Sequence, residues 1–144
     1  MVFIHAKYKE TISIMNKRLN ISSQAKWEDI VGYSRAVRIG NIIEVAGTTA
    51  VDENGQVVGI NDPNEQTKFI LSKIEKALTS AGATLKDVIR TRMFVTNIAD
   101  WEKIGMVHGI YFKDIKPVTT MVEVKSLISP ELLVEIEATA ILIE

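Results

Sequence analysis

The chain has 144 residues, 47% of them hydrophobic, and a formal net charge of −1. That length and apolar content suit one domain with a single core and argue against a second independent domain. The near-zero charge gives no electrostatic reason to expect nucleic-acid binding. The lack of cysteine excludes disulfides, thiolate nucleophiles and Cys-ligated zinc.

The sequence also argues against a metal site, a membrane span and secretion. Only two histidines are present, His5 and His108, so a His-rich metal site is excluded and we expect no cofactor. No apolar run approaches the roughly 20 residues that cross a bilayer, and the N-terminus lacks the features of a signal peptide. We therefore predict a cytoplasmic protein. Residues 1–14 precede a second methionine, Met15, and are predicted to be an extension of unassigned function; a single domain is predicted over 15–144.

The first predicted elements are short strands. Two β-like runs, 36–39 and 42–46, flank Gly40 and Asn41, a pair that tolerates the positive φ of a hairpin turn. A further turn over 52–55 precedes a run at 56–59. Together these runs predict an antiparallel meander.

Two helices and a strand follow. Asp62 is predicted to cap the first helix, with Pro63 at its first position and Gly82 just past its end. A strand is predicted over 88–98, with Ile89 on the same face as the residues two, four and six positions further on. A second helix is predicted over 100–113.

The last quarter, residues 117–140, predicts two strands joined by a short Ser/Pro turn. In the second of them Glu135 and Glu137 alternate with apolar residues, so both carboxylates share one face about 7 Å apart. The complete order is strands, helix, strand, helix and two strands. That order favours an α+β fold with both helices on one face of a mixed sheet.

Four blocks, in this order and spacing, resemble the Rid (YjgF) superfamily. They are GYSRAVRIGN at 32–41, VAGT at 45–48, DVIRTRMFVT at 87–96, and the terminal VEV at 122–124 with VEIEA at 134–138. The resemblance covers about residues 21–144. It implies a chorismate-mutase-like fold, a six-stranded mixed sheet backed by two helices, which forms a homotrimer with ligand clefts between its subunits.

The resemblance also implies a set of cleft residues. Tyr33 matches the family's cleft tyrosine, Gly47 its strand-end glycine, and Glu135 the acid that positions the attacking water. Three positions depart from the family pattern: Thr119 stands where the deaminases carry a substrate-binding arginine, Met121 where cysteine is frequent, and Gly105 where asparagine is frequent.

These substitutions raise the question of what holds a substrate. Thr119 offers one neutral hydrogen bond, whereas the family's arginine holds a carboxylate with two charge-assisted ones. Arg35 lies two residues after Tyr33 and should share its strand face, so it is the candidate replacement anchor. Arg90 and Arg92 are alternative sites for phosphate or an acidic neighbouring subunit.

Each of these residues also has a purely structural interpretation. Arg35 suits an exposed or interface ion pair, Glu135 and Glu137 suit surface charges, and Tyr33 suits a half-buried packing position. Gly47 suits a backbone requirement and His108 a structural role on an apolar helix side.

Three functions remain in competition. The first is hydrolysis of a reactive enamine or imine, a small-molecule metabolite, with an altered substrate anchor. The second is a noncatalytic homotrimer that binds small metabolites in the same clefts, as the loss of arginine at Thr119 suggests. The third is endoribonuclease activity, reported for some family members, which neither the net charge nor any His, Lys or Arg constellation supports.

Overall fold

The computed structural model describes residues 3, 4, 7, 9 and 17 to 143, so the predicted extension at 1–14 lies mostly outside the described residues. Within them the chain builds a six-stranded sheet in the order β1-β2-β3-β6-β4-β5. Neighbouring strands are antiparallel except β4 and β5, which run parallel. The strands are β1 (Arg18–Ile21), β2 (Ala36–Ile39), β3 (Ile42–Thr49), β4 (Val88–Val95), β5 (Val118–Glu123) and β6 (Val134–Ile141).

Two long helices cover one face of this sheet, and a short helix precedes β2. The helices are α1 (Lys26–Val31), α2 (Pro63–Ser80) and α3 (Trp101–Phe112). Ile70 and Ile74 of α2, Ile104 of α3 and Ile136 of β6 belong to one buried cluster and are at most 1% exposed. The predicted α+β fold, with both long helices on one face of a mixed sheet, is therefore confirmed.

Helix α2 begins and ends where its capping residues predict. The Asp62 side chain accepts hydrogen bonds from the backbone N–H groups of Asn64 and Glu65, and Pro63 takes the first helical position. At the other end Gly82, just past the last helical residue, has a φ of 85 degrees, the left-handed conformation that commonly ends a helix. Arg38 of β2 reinforces this end, because its Nη1 donates to the Ala81 carbonyl at 2.8 Å.

Strand β6 occupies the middle of the sheet, between β3 and β4. Its alternate residues Val134, Ile136, Ala138 and Ala140 are buried under the helices, as the alternation predicts. Its other residues, among them Glu135, point to the opposite face of the sheet, away from the two long helices. We call this side the open face.

The predicted terminal hairpin is wrong. β5 and β6 do not pair with each other, because β4 lies between them and pairs with β5 on one side and β6 on the other. The chain between them instead passes α2, where the buried Gln66 amide holds it in place. Gln66 Nε2 donates to the Glu131 carbonyl at 2.8 Å, and its Oε1 accepts from the Leu133 N–H at 2.8 Å.

Two smaller strand predictions are also corrected. The run at 56–59 forms no strand, and Val51 and Val57 contribute only an isolated bridge. Ile89 is 46% exposed because an irregularity between Val88 and Arg90 shifts the register of β4. The bulge turns Ile89 away from the face that its spacing predicts. No helix in the described part of the chain is both long and apolar enough to cross a membrane.

Candidate functional site

A β-bulge in β3 creates the most unusual local geometry of the sheet. Val45 pairs with Ala138 and Thr48 pairs with Ile136, so two residues of β3, Ala46 and Gly47, face a single residue of β6. The Thr48 hydroxyl donates to the Ala46 carbonyl at 2.8 Å and closes the bulge from the helix side. Bulges redirect side chains and backbone groups. Here the bulge brings Gly47 against a side chain of β6.

That side chain is Glu135. Its carboxylate packs on Gly47 so closely that a Cβ at position 47 would overlap Oε1. Glu135 is half-buried, and burial raises the pKa of its carboxyl group, an effect that Arg35 opposes and Glu137 reinforces. A carboxyl group with a raised pKa can exchange protons closer to neutral pH than an exposed one can.

Arg35 lies on the other side of the bulge. Its Nη2 donates to the Gly47 carbonyl at 2.8 Å, and its guanidinium carbon lies 5.9 Å from the centroid of the Tyr33 ring. Burial lowers the pKa of Arg35, while Tyr33, Glu28 and Glu135 act in the opposite direction. Its Nε is buried without a hydrogen-bond partner among the described residues. The exposed ion-pair interpretation of Arg35 therefore does not fit its surroundings.

Lys73 of α2 approaches the same region from the helix side. Its Nζ donates to the carbonyls of Thr49 at 3.0 Å and Val51 at 2.7 Å, just beyond the bulge. Burial lowers the pKa of Lys73 to about 8, with a further contribution from Arg35, while Asp52 acts in the opposite direction. We call the group formed by Tyr33, Arg35, Gly47, Lys73 and Glu135 the bulge cluster.

Tyr33 is positioned by the short helix α1. Both the Gly32 and the Tyr33 N–H groups donate to the Glu28 carbonyl, which ends the helix just before the cluster. The Glu28 side chain is buried and accepts from the Ser22 hydroxyl and the Ser23 N–H. Burial alone would raise the pKa of Glu28, but these hydrogen bonds hold it below its ordinary value. This network anchors the segment that carries Tyr33.

Thr119 and Met121 lie on the other face of the sheet. Thr119 pairs with Thr91 and Met121 with Met93 across the β4–β5 ladder, so both belong to the helix-covered side. Glu135 belongs to the open face. Within one chain the structure therefore brings together Tyr33, Arg35, Gly47 and Glu135, but separates them from Thr119 and Met121 by the sheet itself.

On its covered side Thr119 joins a short row of polar side chains. The hydroxyls of Thr119 and Thr91 are 2.7 Å apart, and the Thr91 hydroxyl lies 2.9 Å from His108 Nε2. Burial lowers the pKa of His108. Gly105, on the same helix, faces open space, because a Cβ there would meet no heavy atom within 4 Å.

A shallow cavity of about 260 Å³ lies on the open face beside the bulge cluster. Its lining includes Ala46 of the bulge but none of the five cluster residues. Two of the lining side chains, Arg92 and Glu137, form an ion pair, so the charge of Arg92 is already matched by an acid. Among the described residues no group of three His, Asp or Glu side chains is arranged to hold a metal ion.

The sequence is similar to one protein family and to several curated proteins. The family model described as endoribonuclease L-PSP matches residues 23–142. A curated relative named 3-aminoacrylate deaminase RutC, from Acinetobacter baylyi, is 36% identical over 108 residues, which cover 75% of this chain and 85% of the relative. An uncharacterized Streptomyces coelicolor protein, SCO2049, is 35% identical over 120 residues, covering 83% and 89% respectively.

Solved structures show the same fold. One is the crystal structure of Rv2704 from Mycobacterium tuberculosis, a member of the YjgF/YER057c/UK114 family. It superposes with a TM-score of 0.80 and is 51% identical in sequence, and the match covers 88% of this chain and all of Rv2704. YyfA from Yersinia pestis, a Rid-family protein of unknown function, has a TM-score of 0.78 and 30% identity over 88% of this chain and all of that one.

Lys73 is absent from the site residues that the sequence predicts. A signal was nevertheless present. Lys73 lies next to Ile74 and four residues from both Phe69 and Ala77, at the border of the apolar stripe of the helix. A lysine at such a border can bury its aliphatic stem and extend its amine toward backbone carbonyls.

Proposed function

The chain belongs to the Rid (YjgF, endoribonuclease L-PSP) family, and from this membership we propose that it hydrolyses a reactive enamine or imine with release of ammonia. The observation that carries the proposal is the close packing of the Glu135 carboxylate on Gly47, the residue whose carbonyl accepts a hydrogen bond from Arg35. The 3-aminoacrylate deaminase named among the relatives supports the reaction class.

In the proposed reaction Glu135 moves protons. For an enamine, a proton first adds to the β-carbon and gives an iminium ion. Water then attacks the C=N carbon while the Glu135 carboxylate accepts one of the water protons, and a tetrahedral carbinolamine forms. Return of that proton to nitrogen makes ammonia a leaving group. As the C–N bond breaks, the hydroxyl gives its proton to the Glu135 carboxylate and from there to solvent, so that ammonia and a carbonyl compound are released. The raised pKa of Glu135 supports this role, because the group must both accept and return a proton.

Arg35 is proposed to anchor the substrate in place of the family's arginine. Its Nη2 is committed to Gly47, but its buried Nε has no partner in the described structure. An unsatisfied buried donor costs roughly 1–3 kcal/mol, so a ligand or a partner chain that satisfied it would be stabilised. Tyr33 packs beside the guanidinium and would form a second wall of the same pocket.

We further propose that the chain acts as a homotrimer with its clefts between subunits. The separation of Thr119 and Met121 from the bulge cluster supports this arrangement, since β5 is an edge strand and carries both residues. In such an assembly the β5 edge of one subunit would lie opposite the bulge cluster of the next. Size-exclusion chromatography with light scattering tests the proposal, and the mass of a monomer would contradict it.

Activity is tested by generating 3-aminoacrylate and 2-iminopropionate in situ and measuring ammonia release with and without the protein. We expect Glu135→Gln to slow the catalysed reaction at least about 100-fold, the usual contribution of a general base. Glu44→Gln is the matched control, because Glu44 is an exposed carboxylate on the same open face and accepts a hydrogen bond from Thr139. Equal rates for Glu135→Gln and the wild type would overturn the proposed role of Glu135.

The anchor is tested separately. Arg35→Met keeps the packing against Tyr33 but removes the charge, and we expect it to lower kcat/KM for a carboxylate-bearing substrate about 10- to 100-fold. Arg35→Lys restores the charge without the planar fork and should recover only part of the loss. Unchanged kinetics in Arg35→Met would rule out Arg35 as the anchor.

A noncatalytic metabolite-binding trimer is the second candidate, and Thr119 is the observation that favours it. Threonine replaces the charged anchor of the deaminases, while Tyr33, Gly47 and Glu135 match the family's cleft residues. This function predicts saturable binding of a small metabolite with no acceleration of ammonia release from any imine. The same in situ assay, combined with calorimetric titration, distinguishes the two candidates.

A further inference from the structure

Helix α3 carries two large apolar side chains on the face that it turns away from the sheet. Met106 is 75% exposed and Ile110, about one turn further on, is 68% exposed. The opposite side of the helix is in the core, where Ile104 and Val107 are buried. Residues four apart on a helix lie side by side on its surface. Met106 and Ile110 therefore form one apolar ridge, which remains open to solvent in the described part of the chain.

A charged residue of opposite sign stands at each end of this ridge. Glu102 lies four residues before Met106, and Lys113 lies three residues after Ile110, so the four side chains follow one line along the helix. Lys113 keeps helical backbone angles, and its N–H donates to the Gly109 carbonyl at 2.9 Å. Both charged side chains are exposed, and neither forms an ion pair with another described residue. The face thus has an acidic end, an apolar middle and a basic end.

Gly109 lies beside the ridge and leaves the helix surface low at that point. A Cβ there would meet no heavy atom within 4 Å, so no packing within the described structure requires glycine. Glycine inside a helix is also less favourable than alanine. The distance between two packed helices depends on the side chains at their contact, and glycine permits a close approach. The ridge and the glycine beside it together suit contact with another helix.

We propose that this face binds α3 of a second copy of the chain, in antiparallel orientation about a two-fold axis. A two-fold contact uses the same surface of both copies, so that surface must complement itself. In an antiparallel pair centred between Val107 and His108, Glu102 of each copy faces Lys113 of the other, and Met106 of each packs on Ile110 of the other. A parallel pair would instead bring like charges together at both ends. The charges therefore select the antiparallel arrangement.

This contact does not compete with the proposed homotrimer and does not rest on the proposed function. The trimer is proposed through the β5 edge and the bulge cluster, whereas the ridge lies on the outer surface of α3. The contact would therefore join two such assemblies, or two single chains if the chain were a monomer. A contact between two helices of this length is at the small end of specific interfaces, so we expect weak association that depends on concentration.

Sedimentation velocity of the full-length protein, from micromolar to near-millimolar concentration, measures the association. We expect the mass of the wild type to rise from its value in dilute solution to at least twice that value. Met106→Ser combined with Ile110→Ser should weaken the association at least about tenfold, because the apolar area buried in the contact is lost. Ile128→Ser is the matched control, because Ile128 is 95% exposed but lies between β5 and β6. A constant mass in the wild type, or an equal loss in the control, would overturn the proposal.

Charge reversal tests the orientation of the two helices. At low salt Glu102→Lys and Lys113→Glu should each weaken self-association about tenfold, because each variant brings like charges together. Lys76→Glu, an equal change of net charge on α2, should not.

The variant with both reversals should associate with itself as tightly as the wild type does, because each facing pair is again of opposite sign. It should not associate with the wild type, since those mixed pairs would be of like sign. Sedimentation of a fluorescently labelled sample of this variant, alone and mixed with the wild type, measures both. Failure of the combined variant to recover self-association, or a preference for the wild type as expected of a parallel contact, would contradict the proposal.

Discussion

The carboxylate of Glu135 occupies the space that a side chain on Gly47 would need. A Gly47→Ala substitution must therefore displace the carboxylate, which is the far end of a flexible side chain and can move at low cost. We expect a loss of stability of no more than about 1 kcal/mol but a large fall in ammonia release. Thermal unfolding and the in situ imine assay measure the two effects. Full activity in a folded Gly47→Ala protein would show that the contact is unimportant for the reaction.

The raised pKa of Glu135 predicts that the effect of this residue on protein stability changes with pH. A carboxyl group whose folded pKa lies above its unfolded value stabilises the fold below the unfolded pKa, near 4.5, and this contribution is lost as the pH rises through the folded pKa. The difference in Tm between Glu135→Gln and the wild type should therefore become more positive from pH 4 to pH 7.

Glu28 provides a control of opposite sign. Its pKa is lowered in the folded protein, so its contribution is present above the unfolded pKa and is lost as the pH falls through the folded value. The Tm difference between Glu28→Gln and the wild type should become more negative over the same pH range. Parallel trends in the two variants would contradict this electrostatic description of the site.

Arg35 is expected to couple the titrations of two other groups in the cluster. It lowers the pKa of both Lys73 and Glu135, so Arg35→Met should raise both. Carbon-detected NMR of the lysine Cε signals should follow Lys73 titrating near 8 in the wild type and higher in the variant. Lys68, on the same helix, is paired with Glu65 and has a raised pKa, and its titration should not respond to the substitution.

Gln66 is predicted to be the most important polar side chain for the fold beneath the site. Its amide donates to the carbonyls of Gly59 and Glu131 and accepts from the Leu133 N–H, while the side chain is fully buried. Gln66→Leu would leave these backbone groups without partners and should lower the free energy of unfolding by roughly 3 kcal/mol. Chemical denaturation measures the loss, and a change within about 0.5 kcal/mol would contradict it.

Turn and capping residues in the sequence predict the elements whose ends depend on neighbouring residues alone. The turn residues Gly40 and Asn41 predict the β2–β3 hairpin, and Asp62, Pro63 and Gly82 predict the limits of α2. The pairing of β5 was not predictable in this way. Adjacent strands often form hairpins, but here β4 lies between β5 and β6, and this depends on contacts distant in sequence.

Some residues of the candidate site were also predictable from the sequence, and others were not. The resemblance predicts Tyr33, Gly47 and Glu135 as cleft residues, and the structure brings them together with Arg35. Tyr33 and Arg35 precede β2, so the strand face predicted for them is not what brings them together. The part played by Lys73 depends on how α2 crosses the sheet, which periodicity alone does not specify. The opposite orientation of Thr119 follows from its pairing with Thr91 in the parallel ladder.

The extra residue in β3 is not needed by the sheet. Val45 and Thr48 both face the helices, although a regular strand would turn residues three apart to opposite sides. A chain one residue shorter between them could pair with β6 without interruption and keep both side chains in the core. Selection for a more regular and more stable sheet would therefore favour deletion. Under the proposed function the extra residue serves the chemistry, because the bulge brings the Gly47 backbone against the Glu135 carboxylate.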